Sequence, residues 1–222
     1  MFSRILVECS NKQQVAASGG NKISSTQHIL FFFGSISPNT YYLPESSHMQ
    51  RYTKTAMLLH WLIALLIIAA FTLGLVMTGI PGFSPSKLKY FSWHKWLGVT
   101  VLGLACLRVL WRRFNVPPPH PLNMPVWQKK AADGMHIVLY LLIFGVPVSG
   151  YLFTLAAGIP VVYLGLFQLP VFMAPNPELK PLLREIHYLL NMTMAAAVAA
   201  HVLAALKHQF IDRDGVLQRM LP

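Results

Sequence analysis

Past residue 50 the chain alternates between long apolar stretches and short polar or charged ones. The first apolar stretch, TAMLLHWLIALLIIAAFTLGLVMTGI (residues 55–80), contains no charged residue. Hydropathy places four spans at about 56–79, 92–111, 134–157 and 182–206. A helix rises about 1.5 Å per residue, so each can cross a hydrocarbon core of about 30 Å. No stretch alternates with a period of two, as a membrane barrel strand would. Inside lipid every backbone polar group must be paired within its own segment, which makes helices the default. Gly145, Pro147, Gly150 and Pro181 fall in or at the third and fourth spans, where membrane helices tolerate kinks. The pattern predicts an all-α membrane protein, a four-helix transmembrane bundle.

Composition agrees. The 222 residues are 55% hydrophobic and 11% charged, about half the charge of a soluble domain. The mean hydropathy is +0.50. The net charge of +11 does not point to nucleic acid, because the cations flank the spans and form no patch interleaved with aromatics. They read as topology signals. With the N-terminus inside, the inner flanks carry Arg51, Lys54, Arg108, Arg112, Arg113, Lys129, Lys130, Lys207, Arg213 and Arg219, and the outer ones Lys87, Lys89, Lys95, Lys180 and Arg184. Ten cations against five place both termini in the cytoplasm.

Of the two cysteines, Cys106 is expected to pack mid-span, and neither belongs to a disulfide framework or a Cys-x-x-Cys-His haem-attachment motif. Residues 1–48 are polar and irregular, and their apolar run HILFFFGSI is too short to span. They read either as a disordered N-terminal extension or as the product of a mis-assigned start, with Met49 the true beginning. The functional domain is expected at 49–222.

The histidines carry the chemistry. Imidazoles inside a membrane are costly and usually face the bundle interior. In the inside-out topology His60 on the first span and His201 on the fourth lie near the cytoplasmic face. His94 on the second and His187 on the fourth lie near the outer face. His187 and His201 are 14 residues apart, about 3.9 turns, so they share one side of their helix about 21 Å apart. Two trans-bundle pairs result, His60 with His201 and His94 with His187. Facing imidazoles can hold one iron axially, and bis-His ligation leaves no open position for oxygen, which suits electron transfer. Zinc fits less well, since it takes about four ligands at one centre. His136 is level with His60 and His201; it either lines a haem edge, bonds a propionate, or displaces one of them as ligand. His208, one turn past the span, is a second such candidate. Arg51 or Lys54 is expected to meet a propionate of the inner haem, because guanidinium and ammonium groups suit carboxylates.

Several segments in order resemble the bacterial cytochrome b561 family: RYTKTAMLLHW, SWHKWLGVTVLGLACLRVLWR, GMHIVLYLLIFGVPVSGYL, LREIHYLLNM and AAHVLAALKHQFIDRDGVLQRMLP. The resemblance covers about 49–222. It implies a four-helix dihaem cytochrome of the bacterial inner membrane, with His60, His94, His187 and His201 as axial ligands of two non-covalent haem b groups (the metal being haem iron). It further implies electron exchange with ubiquinone and, for this type of protein, oxidation of superoxide at the periplasmic face.

Lys87, Lys89 and Lys95 surround His94 in SPSKLKYFSWHKW without any acid. They could form a cationic funnel that speeds capture of a small anion, or simply solvate a loop and bind head groups. The trptophan-bearing span ends (Trp61, Trp93, Trp96, Trp111) read as an interfacial belt. Two other readings stay open. The chain could be the membrane cytochrome of a larger respiratory dehydrogenase or hydrogenase, or a non-redox metal-binding membrane module.

Overall fold

The computed structural model describes residues 51–121 and 123–221. Expectations for residues 1–48 and for a start at Met49 lie outside the described residues. Four long helices dominate: α1 (Lys54–Gly79), α2 (Pro85–Phe114), α3 (Val126–Ala156) and α4 (Leu179–Lys207). Between α3 and α4 a two-residue strand β1 (Val162–Tyr163) pairs antiparallel with β2 (Phe167–Gln168). After α4 the chain makes a π-helical turn, His208–Asp212, and a 3-10 turn, Leu217–Arg219.

Local chemistry sets the ends. Thr53 caps α1 by accepting from the Ala56 N–H at 3.3 Å. Ser84 caps α2 through the Lys87 N–H, and Pro85 follows at the first helical position, where its missing N–H costs nothing. Asn176 accepts from the backbone N–H groups of Glu178 and Leu179 and so starts α4. Gly158 ends α3 in the left-handed region, φ +72°, which a side chain would strain.

Contacts across the helices fix an up-down-up-down order. Ala70 on α1 meets His94 on α2, and Ala56 meets Arg108. Ser149 on α3 meets His187 on α4, and His136 lies beside His201. One end of the bundle, the hairpin end, carries the β1–β2 segment. The other, the tail end, carries the residues after α4. The tail folds back there: the Trp61 indole N–H donates to the Met220 carbonyl at 2.8 Å, and the Tyr52 N–H to the Arg219 carbonyl at 3.2 Å.

Apolar side chains mostly face outward. Leu65 and Leu203 are 63% and 66% exposed, and Leu58, Ile68, Leu107, Leu110, Leu141 and Leu189 are exposed as well. So much exposed apolar surface calls for an apolar surrounding. Among the described residues three helices are long and apolar enough to cross a membrane: α1, α3, and α4 continued to Asp212. The second expected span is longer than anticipated and more charged. Lys87, Lys89, Lys95, Arg108, Arg112 and Arg113 bracket an uncharged run, 96–107. Cys106 is exposed on α2, not packed inside as expected.

The buried core is one layer at mid-height: Ile63 of α1, Val101 and Ala105 of α2, Leu142 and Ile143 of α3, and Met194 of α4. Met194 lies midway between His187 and His201 in sequence. Close packing joins α1 to α2, α2 to α3 and α3 to α4, whereas α4 meets α1 and α2 only sparsely. A slot is thus left between α4 and the α1–α2 pair, and the histidines stand along it.

Candidate functional site

Two histidine pairs face each other across this slot. At the hairpin end the rings of His94 and His187 have centres 6.2 Å apart and planes at 87°. At the tail end His60 and His201 are 6.3 Å apart at 85°. The pairs expected from depth alone are therefore brought together.

Hydrogen bonds set the tautomers at the hairpin end. His94 Nδ1 lies 2.9 Å from the Ala70 carbonyl oxygen. A carbonyl only accepts, so Nδ1 carries the proton and Nε2 keeps its lone pair. His187 Nδ1 is 3.1 Å from the Val146 carbonyl and 3.0 Å from Ser149 Oγ. The Ser149 hydroxyl itself donates to Val146 O at 2.8 Å, so it accepts from His187. Both rings are thereby held in the tautomer a metal ligand needs.

The spacing can be tested against an iron between the rings. A metal–imidazole bond of about 2 Å, plus about 1.1 Å from nitrogen to ring centre, puts two ring centres about 6.2 Å apart across one ion. Both pairs match. The slot at the hairpin end opens into an apolar cavity of about 1190 Å³ whose lining includes His94, His187, Phe71, Gly98, Pro147 and Met194, with ample room for a planar macrocycle. The residues present fit haem.

Two glycines make the hairpin-end approach possible. A Cβ at Gly150 would stand 2.8 Å from His187 Cε1, and one at Gly74 3.4 Å from His94 Cε1. By contrast, a Cβ at Gly98 or Gly103 would meet nothing within 4 Å.

The other candidates separate. His136 sits 5.7 Å from His201 at 65°. It comes from α3, which packs closely on α4 and leaves no slot between them. His208 Nδ1 is engaged by Asp214 Oδ2 at 2.7 Å and lies 3.3 Å from Asp212 Oδ2. Arg51 lines a small pocket with Arg108 and Arg112, whereas Lys54 stands exposed at the start of α1. The three lysines near His94 do not act as one group. Lys87 Nζ donates to the carbonyls of Ile80 at 2.7 Å and Gly82 at 3.1 Å. Lys89 Nζ lies over the Trp93 ring at 4.8 Å. Lys95 lines the hairpin-end cavity, and Lys180, from the start of α4, joins it.

Sequence reasoning missed Ser149, Gly150 and Lys180. The adjacent Ser-Gly on the third span, at the level of His187, was the available signal. Three of the belt tryptophans also do more than sit at an interface. Trp61, Trp96 and Trp111 donate to Met220 O, Val162 O and Thr53 Oγ1, which ties loops and tail to the helices.

An apolar helical bundle that holds imidazole pairs across an internal slot defines a class of protein, the membrane cytochromes with haem in the bundle. The prokaryotic cytochrome b561 family model matches residues 51–222, and the chain belongs to that family. Membership implies haem b and makes this a prokaryotic membrane electron-transport protein. Cytochrome b561 homolog 2 of Escherichia coli K12 is 34% identical over 173 residues, 78% of this chain and 92% of that protein. Homolog 1 of the same organism is 35% identical over 180 residues, 78% and 98% of the two chains. A Yersinia pestis protein named probable superoxide oxidase CybB is 31% identical over 169 residues, 74% and 92%.

Proposed function

We propose that this chain is a dihaem b-type cytochrome of the bacterial inner membrane, spanning it four times with both termini in the cytoplasm. It carries electrons between superoxide at the periplasmic, hairpin end and ubiquinone in the bilayer. The functional unit is 49–222. The observation that carries the reading is the pair of edge-to-face histidine couples, 6.2 and 6.3 Å apart, at the two ends of one slot.

His94 and His187 hold one iron, and His60 and His201 the other. When bound, each haem supplies a one-electron ferric–ferrous couple. The protein does the rest. Ala70 O, Val146 O and Ser149 Oγ orient the two hairpin-end rings and raise their basicity toward a metal. His60 fits the tail-end role better than His136, because α1 stands across the slot from α4 whereas α3 is packed against it. The layer of Ile63, Val101, Ala105, Leu142, Ile143 and Met194 keeps water out between the two levels.

Superoxide is a small anion. Lys95 and Lys180 line the cavity beside His94, and a cationic entrance raises the rate of anion encounter. The name of the Yersinia relative supports the same substrate. The direct test is to mix the oxidised protein, in detergent with a short-chain ubiquinone, with enzymatically generated superoxide. Haem reduction and quinol formation that superoxide dismutase abolishes are expected. Reduction indifferent to the dismutase would remove superoxide as the donor.

A further inference from the structure

At the tail end, outside the histidine pairs, a second pocket lies between the start of α1, the end of α2 and the middle of α3. Arg51, Arg108, Arg112, Tyr52, Asn115 and Tyr140 are among its lining residues, and none of the histidines is. Three arginines thus line one cavity. No carboxylate lies within ion-pair distance of any of them among the described residues. The described acids at this end are committed elsewhere: Asp133 to His120, Asp212 to Lys207, and Asp214 to His208.

Arg108 is held in place. Its Nε–H donates to the Tyr140 hydroxyl at 3.2 Å and its Nη1 to the Ala56 carbonyl at 3.1 Å. A guanidinium has five N–H donors, so three remain for something else. Arg112 lies over the ring of Tyr140, 5.9 Å from its centre. Like charges placed together repel one another, and an anion between them turns that repulsion into attraction. The cavity has a volume of about 60 Å³. One water needs about 10–15 Å³ on this measure, so about four to six water-sized groups fit, enough for a phosphate or for a carboxylate with a water.

We propose that Arg51, Arg108 and Arg112 form an oxyanion-binding pocket, filled by a phosphate or carboxylate carried on a membrane-held molecule. Guanidinium forks match both groups in geometry. Two sources have that chemistry. One is the phosphate of an anionic phospholipid. The other is a carboxylate of the tail-end porphyrin, and this source alone rests on the haem reading above.

The experiment compares the full-length parent with Arg51→Gln, Arg112→Gln and Arg112→Lys. Arg51 and Arg112 are exposed, so these changes leave the packed layer intact, and helical circular dichroism with the size-exclusion profile, neither of which depends on haem, reports folding. Each protein is placed in nanodiscs of phosphatidylcholine with a small fraction of phosphatidylglycerol. Retained phosphatidylglycerol is counted by native mass spectrometry, and the midpoint potentials are titrated from pH 6 to pH 8. Retention that falls several-fold in both Gln variants and recovers in Arg112→Lys, at unchanged potentials, assigns the pocket to lipid phosphate. Unchanged retention with a lowered potential of one haem and a shifted pH profile, again recovered by Arg112→Lys, assigns it to the porphyrin. Should the protein carry no haem, the lipid count still decides the first source. Neither lipid retention nor any potential differing between parent and Gln variants would overturn the proposal.

Discussion

A Cβ built on Gly150 of α3 would stand 2.8 Å from the Cε1 atom of His187 on α4. The imidazole lies directly against the α3 backbone, and there it reaches both Val146 O and Ser149 Oγ. Close packing of α3 on α4 and the orientation of a ring in the slot are therefore one feature. The bare backbone of a glycine permits both.

Gly150→Ala follows from this contact. The methyl must displace the ring or push the helices apart, a strain of about 1–3 kcal/mol. The ring is the easier of the two to move. Haem content is expected to fall from about two per chain toward one, with the loss confined to the hairpin-end centre. Gly103→Ala, where a Cβ meets nothing within 4 Å, is the control and should match the parent. The pyridine haemochrome assay on both variants measures this.

Ser149→Ala removes one of the two acceptors of His187 Nδ1 but leaves Val146 O. Loss of an outer hydrogen bond to a metal-ligating histidine typically weakens metal affinity about 10- to 100-fold. With a second acceptor in place the expected loss lies at or below the lower end. Haem release to apomyoglobin, followed by absorbance, should speed up for one haem only. Equal release from both centres would contradict the pairing of Ser149 with His187 as the cause.

His60 and His136 compete on paper for the tail-end iron, and variants separate them. His60→Ala is expected to lose one haem. His136→Ala is expected to keep both while its tail-end spectrum shifts, since the ring stands 5.7 Å from His201. The reverse pattern would move the ligand to α3.

Lys95→Gln combined with Lys180→Gln should leave both haem spectra unchanged and slow superoxide-driven reduction by about tenfold at low salt. The rate of the double variant should also depend less on ionic strength, because screening acts on a field that has been weakened. Lys89→Gln, whose ammonium lies on Trp93, should change little.

Much of this was legible in the chain. The spacing of 14 residues between His187 and His201 places both on one face, and span direction gives their depth. Together these put His60 opposite His201 and His94 opposite His187. Helix ends were less legible. α2 runs on through charged turns from Pro85 to Phe114, because cations at interfaces extend a helix without lowering hydropathy in its middle. Ser149, Gly150 and Lys180 stayed hidden because their roles come from contacts between α3 and α4, or across the cavity, which no local period encodes. Lys87 and Lys89 illustrate the converse. Sequence groups them with Lys95, yet loop carbonyls and an indole ring already engage them.

The proposed function requires two bis-histidine centres that share α4. The most direct measurement is the dithionite-reduced minus oxidised spectrum, with haem counted per chain, for the parent beside His187→Ala and His201→Ala. About two b-type haems are expected in the parent, and the loss of a different one in each variant. No haem in the parent, or one haem lost in only one of the variants, would contradict it.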